Sequence, residues 1–286
     1  MYIGLILAST LLFSFSFYYK NKFQEREGNT LTKAMVFSLI GNFIGIITTL
    51  FMGVEFSFSV FSFVLAIITA TVSIIFSVVS IKALSFANLT VFSLFSMLGG
   101  MLLPFVFSVA FYNEKLTIPK MLCVGLVVAA LILGTPKSDN KKSKIAFWYY
   151  IGVFITNGMV GVIAKIHQSG MAAVPSNTYT FMHKTINFIA SLFIVLILVL
   201  NKQDAKLERK ALSIFNASGS AVFNTIGNLF LLYALLHVDA SVQYPLVTGG
   251  VIVISLVMDY LQGKKPNKKA VISALLAVAG MCLLVI

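Results

Sequence analysis

The sequence is divided into long apolar runs, most of which are free of charged residues over about 18 to 25 positions. A helix of about 20 apolar residues crosses a hydrocarbon core of roughly 30 Å, so runs of this length are typical of transmembrane helices. Hydrophobic residues make up 59% of the 286 residues and charged residues only 10%, and the mean hydropathy is +0.97. A water-soluble domain needs more polar surface than this. The sequence therefore predicts an all-α, multi-pass integral membrane protein.

Breaks that contain charged residues, glycine or proline divide the apolar runs into ten predicted transmembrane helices. Five precede and five follow a lysine-rich segment, residues 136–144, which we interpret as a linker between two halves, 1–135 and 145–286. The predicted helices are 2–19, 33–53, 57–84, 88–112 and 119–135 in the first half, and 145–166, 177–200, 211–236, 239–261 and 269–286 in the second.

The two halves resemble each other in sequence, which indicates an internal duplication; the alternative is chance similarity among apolar segments. Because each half has an odd number of helices, the second copy would enter the membrane from the opposite side. Two inverted five-helix repeats of this kind are typical of secondary transporters, whose solute site lies between the halves near the middle of the membrane. Three landmarks recur in order and at nearly constant spacing: 83–84 as 234–235, 99–100 as 249–250, and 112–114 as 260–262.

Positively charged residues are distributed unevenly between the two sides of the membrane that this topology defines. Of the 21 Lys and Arg, all but four fall in the connections 1–2, 3–4, 5–6, 7–8 and 9–10, which lie on one side. The exceptions are Lys115, Lys120, Lys165 and Lys184. Lys and Arg accumulate in cytoplasmic loops, so we predict that the lysine-rich connections are cytoplasmic and that both termini are external.

Residues 80–90, followed by Gly99-Gly100, Pro104 and residues 112–117, resemble the EamA-type repeat of the drug/metabolite transporter superfamily. In that repeat an Ala-Leu entry precedes a helix rich in small residues, a Gly-Glu-x-Leu-Thr turn and a closing helix. Residues 233–246 look like the same entry in the second half, and they also resemble small multidrug-resistance proteins. The resemblance implies a ten-helix transporter in which helices 1, 3, 4, 6, 8 and 9 line a central cavity, with helices 5 and 10 at the periphery.

The sequence departs from these relatives at two acidic positions. Gln262 stands in the second half where the first half has Glu114. Small multidrug-resistance proteins use a membrane-embedded Glu in helix 1, and the absence of a carboxylate there argues against proton-coupled export of lipophilic cations by that mechanism. The polar residues of predicted helix 1 are instead Ser9, Thr10, Ser14 and Ser16.

Uncharged polar residues within the predicted helices are candidates for a solute site, because polar groups in hydrocarbon usually face a cavity or a partner helix. Amide side chains donate and accept hydrogen bonds without net charge, which suits a polar or zwitterionic solute. Asn224 and Asn228 are four residues apart and share one helix face. The alternative for each residue is a hydrogen bond between helices. The candidates are Asn42, Asn157, Asn224, Asn228, Gln243, Tyr244 and Thr248.

Lys184 and the preceding His183 form the most interior ionisable pair, about two turns into predicted helix 7. Lys184 is a further candidate site residue, since its ammonium group would attract a carboxylate or phosphate of the solute. The alternative is that its long side chain reaches the membrane interface.

Glycines and prolines recur in corresponding helices of the two halves. Small residues let membrane helices approach closely, and a proline removes a backbone donor and favours a kink. We therefore expect helix packing or kink positions at Gly99, Gly100, Pro104, Pro245, Gly249 and Gly250.

These patterns favour a secondary transporter that exports a small organic metabolite, such as an amino acid, by alternating access. The alternatives are a sugar or multidrug transporter and a non-transporting membrane scaffold. The sequence has no enzyme motif, P-loop or metal-ligand spacing, so we expect neither enzymatic activity nor a cofactor or metal. The expected partners are a small-molecule substrate and the lipid bilayer. Nucleic acid is not expected, because the lysines lie in short segments between apolar runs.

The predicted orientation can be tested by cysteine labelling in a chain whose Cys123 and Cys282 are replaced by serine. We expect a cysteine beside Lys141 to stay unreactive toward a membrane-impermeant thiol reagent in intact cells and to react after permeabilisation, because the linker is cytoplasmic. Met171→Cys, in connection 6–7, is the matched external position and should react in intact cells. The opposite labelling pattern would reverse the orientation.

Overall fold

The computed structural model describes residues 2–86, 89–111, 117–134, 141–234, 237–238, 240–263 and 268–283. Within these residues the regular secondary structure is entirely helical, with ten helices and no strand. A helix satisfies its backbone groups within one segment, as a bilayer without water requires. The helices are α1 (Tyr2–Glu27), α2 (Leu31–Phe51), α3 (Val60–Leu84), α4 (Leu89–Phe111), α5 (Ile118–Gly134), α6 (Lys141–Ser169), α7 (Ser176–Leu200), α8 (Lys210–Ala234), α9 (Ala240–Leu261) and α10 (Lys268–Cys282).

Six of the described helices, α1 to α4, α6 and α7, are long and apolar enough to cross a membrane. α5 and α9 contain shorter apolar stretches, Met121–Ala130 and Leu246–Leu261. Large apolar side chains are exposed on the helix surfaces, for example Phe193, Leu196 and Ile197 of α7. Water opposes exposure on this scale, whereas lipid hydrocarbon accepts it. The chain is therefore a multi-pass membrane protein, as the sequence predicts.

Most helix boundaries lie within a few residues of the sequence prediction, and the end of α1 and the start of α6 differ most clearly in the described residues. α1 continues past the predicted end at residue 19 to Glu27, because no glycine or proline stands between residue 19 and Gly28. Gly28 adopts a φ of 81°, a left-handed conformation that suits glycine and ends the helix. α6 begins at Lys141, so the last residues of the predicted linker 136–144 are helical, and residues 135–140 lie outside the described part of the chain.

The helices of the two halves pack mainly against each other. α1 packs against α8 and α9, and α6 packs in the same way against α3 and α4. α2 contacts both α7 and α8, and α3 contacts α7. The remaining major pairs are α4 with α9 and α5 with α10. The pairing is symmetric: if α1 to α5 are exchanged with α6 to α10 in order, the same set of major pairs between the halves results.

Glycines allow two of these helix pairs to approach closely. A Cβ atom at Gly99 of α4 would overlap the backbone carbonyl oxygen of Phe154 in α6, and a Cβ at Gly158 of α6 would lie 2.6 Å from the Gly99 carbonyl oxygen. A Cβ at Gly250 of α9 would overlap the side chain of Thr10 in α1. In lipid, where apolar burial does not drive association, close packing of this kind supplies much of the attraction between helices.

The prolines that were expected to interrupt helices do not end them. α4 continues through Pro104, whose ring packs beside Gly161 of α6. α9 also runs from Ala240 to Leu261 without a break, and the side chain of Pro245 lies outside the described part of the chain. Gly249 is buried in the same helix.

We expect Gly99→Ala to lower the thermal stability of the purified protein, because the added methyl group meets backbone atoms and not a movable side chain. The destabilisation should be about 1–3 kcal/mol, the usual range for overpacking a well-packed interior. Gly125→Ala is the matched control, because a Cβ at Gly125 of α5 meets no atom within 4 Å. Melting in detergent compares the two variants, and an unchanged melting temperature for Gly99→Ala would contradict the close α4–α6 contact.

Candidate functional site

A cavity of about 300 Å³ lies between the two halves. Its described wall residues come from α1 to α4 and from α6 to α9, and none comes from α5 or α10. The sequence resemblance implied only six lining helices, so the contributions of α2 and α7 are a correction. These two helices meet beside the cavity, where Ser191 of α7 donates a hydrogen bond to Ser38 of α2 at 3.0 Å.

The antiparallel register of α2 and α7 determines which of their side chains share a height in the wall. Gly45 lies seven residues after Ser38 in α2, and Lys184 lies seven residues before Ser191 in α7. These two residues are also in contact. About midway between these two contacts, Asn42 of α2 and Asn187 of α7 are level with each other, and both line the cavity.

α8 adds two further asparagines near this height. It runs parallel to α2, and a Cβ at Gly41 of α2 would lie 3.9 Å from the Cβ of Ala221 in α8. Asn224 is therefore close to the height of Asn42, and Asn228 lies one turn further along the helix. Both side chains line the cavity.

Asn157 of α6 completes this group on the opposite wall. Its Nδ2 atom donates a hydrogen bond to the backbone carbonyl of Ser96 at 2.7 Å, and the lack of a side chain at Gly100 leaves room for the amide. The ring of His167, ten residues later in α6, stacks on Tyr179 of α7 with 3.8 Å between the ring centres. Because α6 and α7 are antiparallel, ten residues back from His167 in α6 correspond to about ten residues forward from Tyr179 in α7. Asn157 is therefore near the height of Asn187. We call Asn42, Asn157, Asn187 and Asn224 the asparagine belt.

The asparagine belt keeps hydrogen-bonding groups that other described residues do not use. Asn42 Nδ2 donates to the carbonyl oxygen of Ser38 at 2.7 Å. Asn187 Oδ1 has no hydrogen-bond partner among the described residues. Asn224 and its neighbour Asn228 make no side-chain hydrogen bond to any described residue and face the cavity. Such amides can donate to and accept from a polar solute.

Lys20 of α1 lies at one end of the cavity within a group of phenylalanine rings. Its Nζ atom is 4.4 Å from the centre of the Phe76 ring, 5.6 Å from that of Phe37 and 5.8 Å from that of Phe92. The side chain is only 5% exposed, and the ring faces stabilise its charge. The prediction that helix 1 ends at residue 19 puts Lys20 in a connection, which is wrong, because Lys20 lies within α1. The signal for the longer helix is the run without glycine or proline from residue 19 to Gly28.

A buried carboxylate joins the two halves beside this end of the cavity. Glu27 accepts hydrogen bonds from Ser213 Oγ at 2.5 Å and from the backbone N–H of Glu208 at 3.1 Å, and it pairs with Lys33 at 3.2 Å. Lys33 also donates to the backbone carbonyl of Lys206. The α1–α2 connection is therefore tied to the segment that enters α8.

A second buried carboxylate links α9 to α4. Asp259 accepts hydrogen bonds from the backbone N–H groups of Leu89 at 3.3 Å and Thr90 at 2.7 Å, and from Thr90 Oγ1 at 2.5 Å. An acidic side chain suits this position, because the first N–H groups of a helix lack partners within it and carry partial positive charge. Nothing in the local sequence indicates this role of Asp259, because a cap supplied by another helix leaves no local motif.

Different contacts tie the helices near the start of α7. His167 Nε2 lies 3.0 Å from Ser62 Oγ of α3, and the hydroxyl of Tyr179 hydrogen-bonds to Thr69 of α3 at 2.7 Å. Gln168 lines the cavity here and is exposed, whereas at the other end Phe17, Lys20 and Phe37 are buried and Phe76 is half-buried. The cavity is thus more enclosed at the Lys20 end, which we call the closed end, and more open toward the start of α7.

The structure brings most of the predicted solute residues together. Gln243 is an exception, because it is fully buried and its Nε2 atom donates to the carbonyl of Leu231 at 2.8 Å, outside the cavity wall. The side chain of Tyr244 lies outside the described part of the chain. Gly100 belongs to the wall, whereas Gly99 and Gly250 pack helices behind it. The predicted residues that line the cavity are Asn42, Asn157, Lys184, Asn224, Asn228 and Thr248.

The second half of the chain, residues 144–286, matches the family model of the EamA-like transporter family. The chain belongs to the EamA-like transporter family. This family is part of the drug/metabolite transporter superfamily, so the resemblance read from the sequence is confirmed. EamA-like proteins are membrane transporters of small molecules and not enzymes.

Comparison with other proteins supports the fold of this EamA-like chain. No curated protein matches the chain. A crystal structure of a protein with 15% sequence identity superposes with a TM-score of 0.63, covering 99% of this chain and 96% of that chain. At this identity, the likeness shows a shared fold over the whole chain.

We expect Glu27→Gln to destabilise the purified transporter, because it leaves the buried ammonium group of Lys33 without its counter-ion. Removing one member of a buried ion pair costs about 3–5 kcal/mol. Glu25→Gln is the matched control, since it removes the same charge from a partly exposed pair with Lys22 that contributes about 1 kcal/mol or less. Melting in detergent compares the two, and equal melting temperatures would contradict a stabilising role for Glu27.

Proposed function

We propose that this EamA-like protein is a secondary transporter that exports a small polar organic metabolite, such as an amino acid, across the cell membrane by alternating access. The observation that carries the proposal is the cavity of about 300 Å³ between the halves. Its volume suits a metabolite-sized solute. Because helices of both halves form its wall, a movement of one half relative to the other would change its access.

We further propose that all ten helices cross the membrane, as inverted repeats formed by residues 1–135 and 145–286. The packing supports this, since α1 contacts α8 and α9 as α6 contacts α3 and α4. The close glycine contacts also correspond, with Gly99 joining α4 to α6 and Gly250 joining α9 to α1. In this arrangement the start of α7 is external, both termini are external, and the Glu27 end of the cavity is cytoplasmic.

Alternating access requires that the two ends of the cavity be held by different contacts. At the Lys20 end, Glu27 and Asp259 join the halves through buried hydrogen bonds. At the other end, His167 and Tyr179 join α3, α6 and α7. With the proposed orientation, the structure corresponds to an outward-open state, and release of the carboxylate links would open the cytoplasmic end.

The chemistry of the wall favours a polar solute over a lipophilic cation. Amide groups of the asparagine belt face the cavity, together with the hydroxyl-bearing Thr248. Two lysines, Lys20 and Lys184, belong to the described wall, and neither Asp nor Glu does. A cationic drug would meet like charge there without a compensating carboxylate, so export of cationic drugs is the weaker alternative.

Transport can be tested with purified protein in proteoliposomes. Vesicles preloaded with one unlabelled amino acid should accumulate the same labelled amino acid from outside by exchange, and empty vesicles should not. Amino acids, sugars and organic acids tested in turn identify the solute class. Cells that overproduce the protein should release more of that solute into the medium. Failure of every solute to exchange would favour the scaffold alternative, and uptake without release would contradict export.

We expect the double variant Asn224→Ala/Asn228→Ala to raise the KM for the transported solute while the melting temperature stays nearly unchanged, because neither amide bonds another described residue. Loss of one neutral hydrogen bond costs about 0.5–1.5 kcal/mol, which corresponds to about a 2- to 10-fold change for each residue. Exchange kinetics in proteoliposomes provide the measurement.

Thr71→Ala is the control for this pair, because Thr71 is exposed and bonds only within its own helix, to the carbonyl of Ile67. Gln243→Ala should act differently and lower the melting temperature, since its amide joins α9 to α8. Wild-type kinetics in a normally folded Asn224/Asn228 double variant would favour a packing role for both amides.

A further inference from the structure

We propose that Lys184 binds an oxyanion group, a carboxylate or phosphate, of the transported solute. The inference rests on the proposed transport function and narrows its substrate class to small organic anions and zwitterions. It follows from the position of the Lys184 ammonium group, from the absence of a protein partner among the described residues, and from the groups that surround it.

The ammonium group of Lys184 lies inside the protein and not at the membrane interface. Lys184 is 9% exposed and begins the third turn of α7, about 12 Å from the start of the helix at Ser176. The α2–α7 register puts Gly45 directly opposite Lys184, and a Cβ at Gly45 would lie 2.8 Å from Nζ. The side chain therefore extends straight across to α2 at its own height, which excludes the alternative of an extended chain reaching the interface.

Gly45 makes this position of the ammonium group possible. Any larger residue there would place its Cβ atom 2.8 to 3.0 Å from three atoms at the end of the Lys184 side chain, which is closer than van der Waals contact allows. The close approach brings the charge against the α2 backbone, between the asparagine belt and the open end of the cavity. A solute that enters from the start of α7 meets Lys184 before it reaches Asn42 and Asn187.

The other buried lysines of the described chain have partners that Lys184 lacks. Lys33 pairs with Glu27, and Lys20 lies over the rings of Phe76, Phe37 and Phe92. Lys184 has no carboxylate, carbonyl or aromatic ring at its ammonium group among the described residues. A buried charge without a counter-ion is costly, and one retained in a membrane helix usually marks a substrate pathway. An incoming oxyanion would supply the missing counter-ion.

The surroundings of Lys184 suit a solute with one oxyanion and further polar groups. Asn187 lies one turn along the same face of α7, and its Oδ1 atom is unpartnered among the described residues. Asn42 of α2 and Asn224 of α8 lie within about one helical turn of the height of Lys184 in the cavity wall. With the oxyanion at Lys184, amide donors and acceptors therefore face the rest of the solute.

The test uses purified full-length protein and probes with and without an oxyanion. Succinate with succinamide and nicotinate with nicotinamide differ in charge but little in shape; glycerol 3-phosphate is compared with glycerol, which lacks the phosphate, and L-phenylalanine is the zwitterion. A ligand that binds the folded state raises the melting temperature, so each probe is scored by its thermal shift. We expect every probe that shifts the wild-type protein to carry an oxyanion. The carboxylate and phosphate pairs show which oxyanion the site takes.

The decisive variant is Lys184→Met, which keeps a long side chain and removes the charge. We expect it to raise the melting temperature of the ligand-free protein, because an unpaired buried charge is lost, and to weaken oxyanion binding by about tenfold or more. Lys210→Gln is the matched control, since it removes one charge from an exposed lysine at the start of α8. It should change neither quantity.

Gly45→Ala provides a second variant that keeps the charge. Its Cβ atom would displace the ammonium group, so oxyanion affinity should fall although Lys184 remains. A lower melting temperature for ligand-free Lys184→Met would overturn the proposal and assign the lysine a structural role. Equal binding of a neutral probe and its charged counterpart would also overturn it while leaving transport intact. Absence of exchange for every solute in proteoliposomes would instead remove the proposed function.

Discussion

Helices in a bilayer are not held together by apolar burial, because lipid tails contact apolar side chains as well as another helix does. The structure depends instead on close approach at small residues and on polar bonds between helices. Ser9 Oγ of α1 donates to the carbonyl of Gly227 at 2.9 Å, and Ser16 Oγ donates to the carbonyl of Ser220 at 2.9 Å. Both bonds tie α1 of the first half to α8 of the second, so specific polar groups add to the close packing that joins the halves.

Polar side chains of the same kind line the cavity, but some of them have no hydrogen-bond partner among the described residues. Ser16 and Ser220 belong to the wall and bond each other, while Asn224 and Asn228 lie further along the same face of α8 without a described partner. Unpaired polar groups in an apolar environment cost free energy unless water or a ligand bonds them. Along this face of α8, Ser220 thus bonds a neighbouring helix, whereas Asn224 and Asn228 are available to hydrogen-bond a solute.

The sequence was sufficient for the helical class, the family and several polar wall residues, because apolar runs and mid-helix amides are local features. It was not sufficient for the direction in which each amide points. Asn228 and Gln243 look alike in sequence, yet the first faces the cavity and the second bonds the backbone of α8. Rotation of a membrane helix is decided by its neighbours, since lipid and protein surroundings are both apolar. The sequence prediction put Lys20 outside helix 1 because a charged residue usually marks the end of a membrane helix. The aromatic rings that surround its ammonium group belong to other helices and cannot be recognised from the local sequence.

Charge is separated within the described part of the molecule. The buried carboxylates Glu27 and Asp259 hold the halves together beside the closed end, while Lys20 and Lys184 face the cavity. An acid in the wall would pair with these lysines and weaken their attraction for an anion. Glu27 and Asp259 instead bond groups of the opposite half, and the proposed opening of that end would have to break those bonds. In the transport cycle that we propose, the basic groups would select what enters the cavity, and the acidic groups would control the opening of its far end.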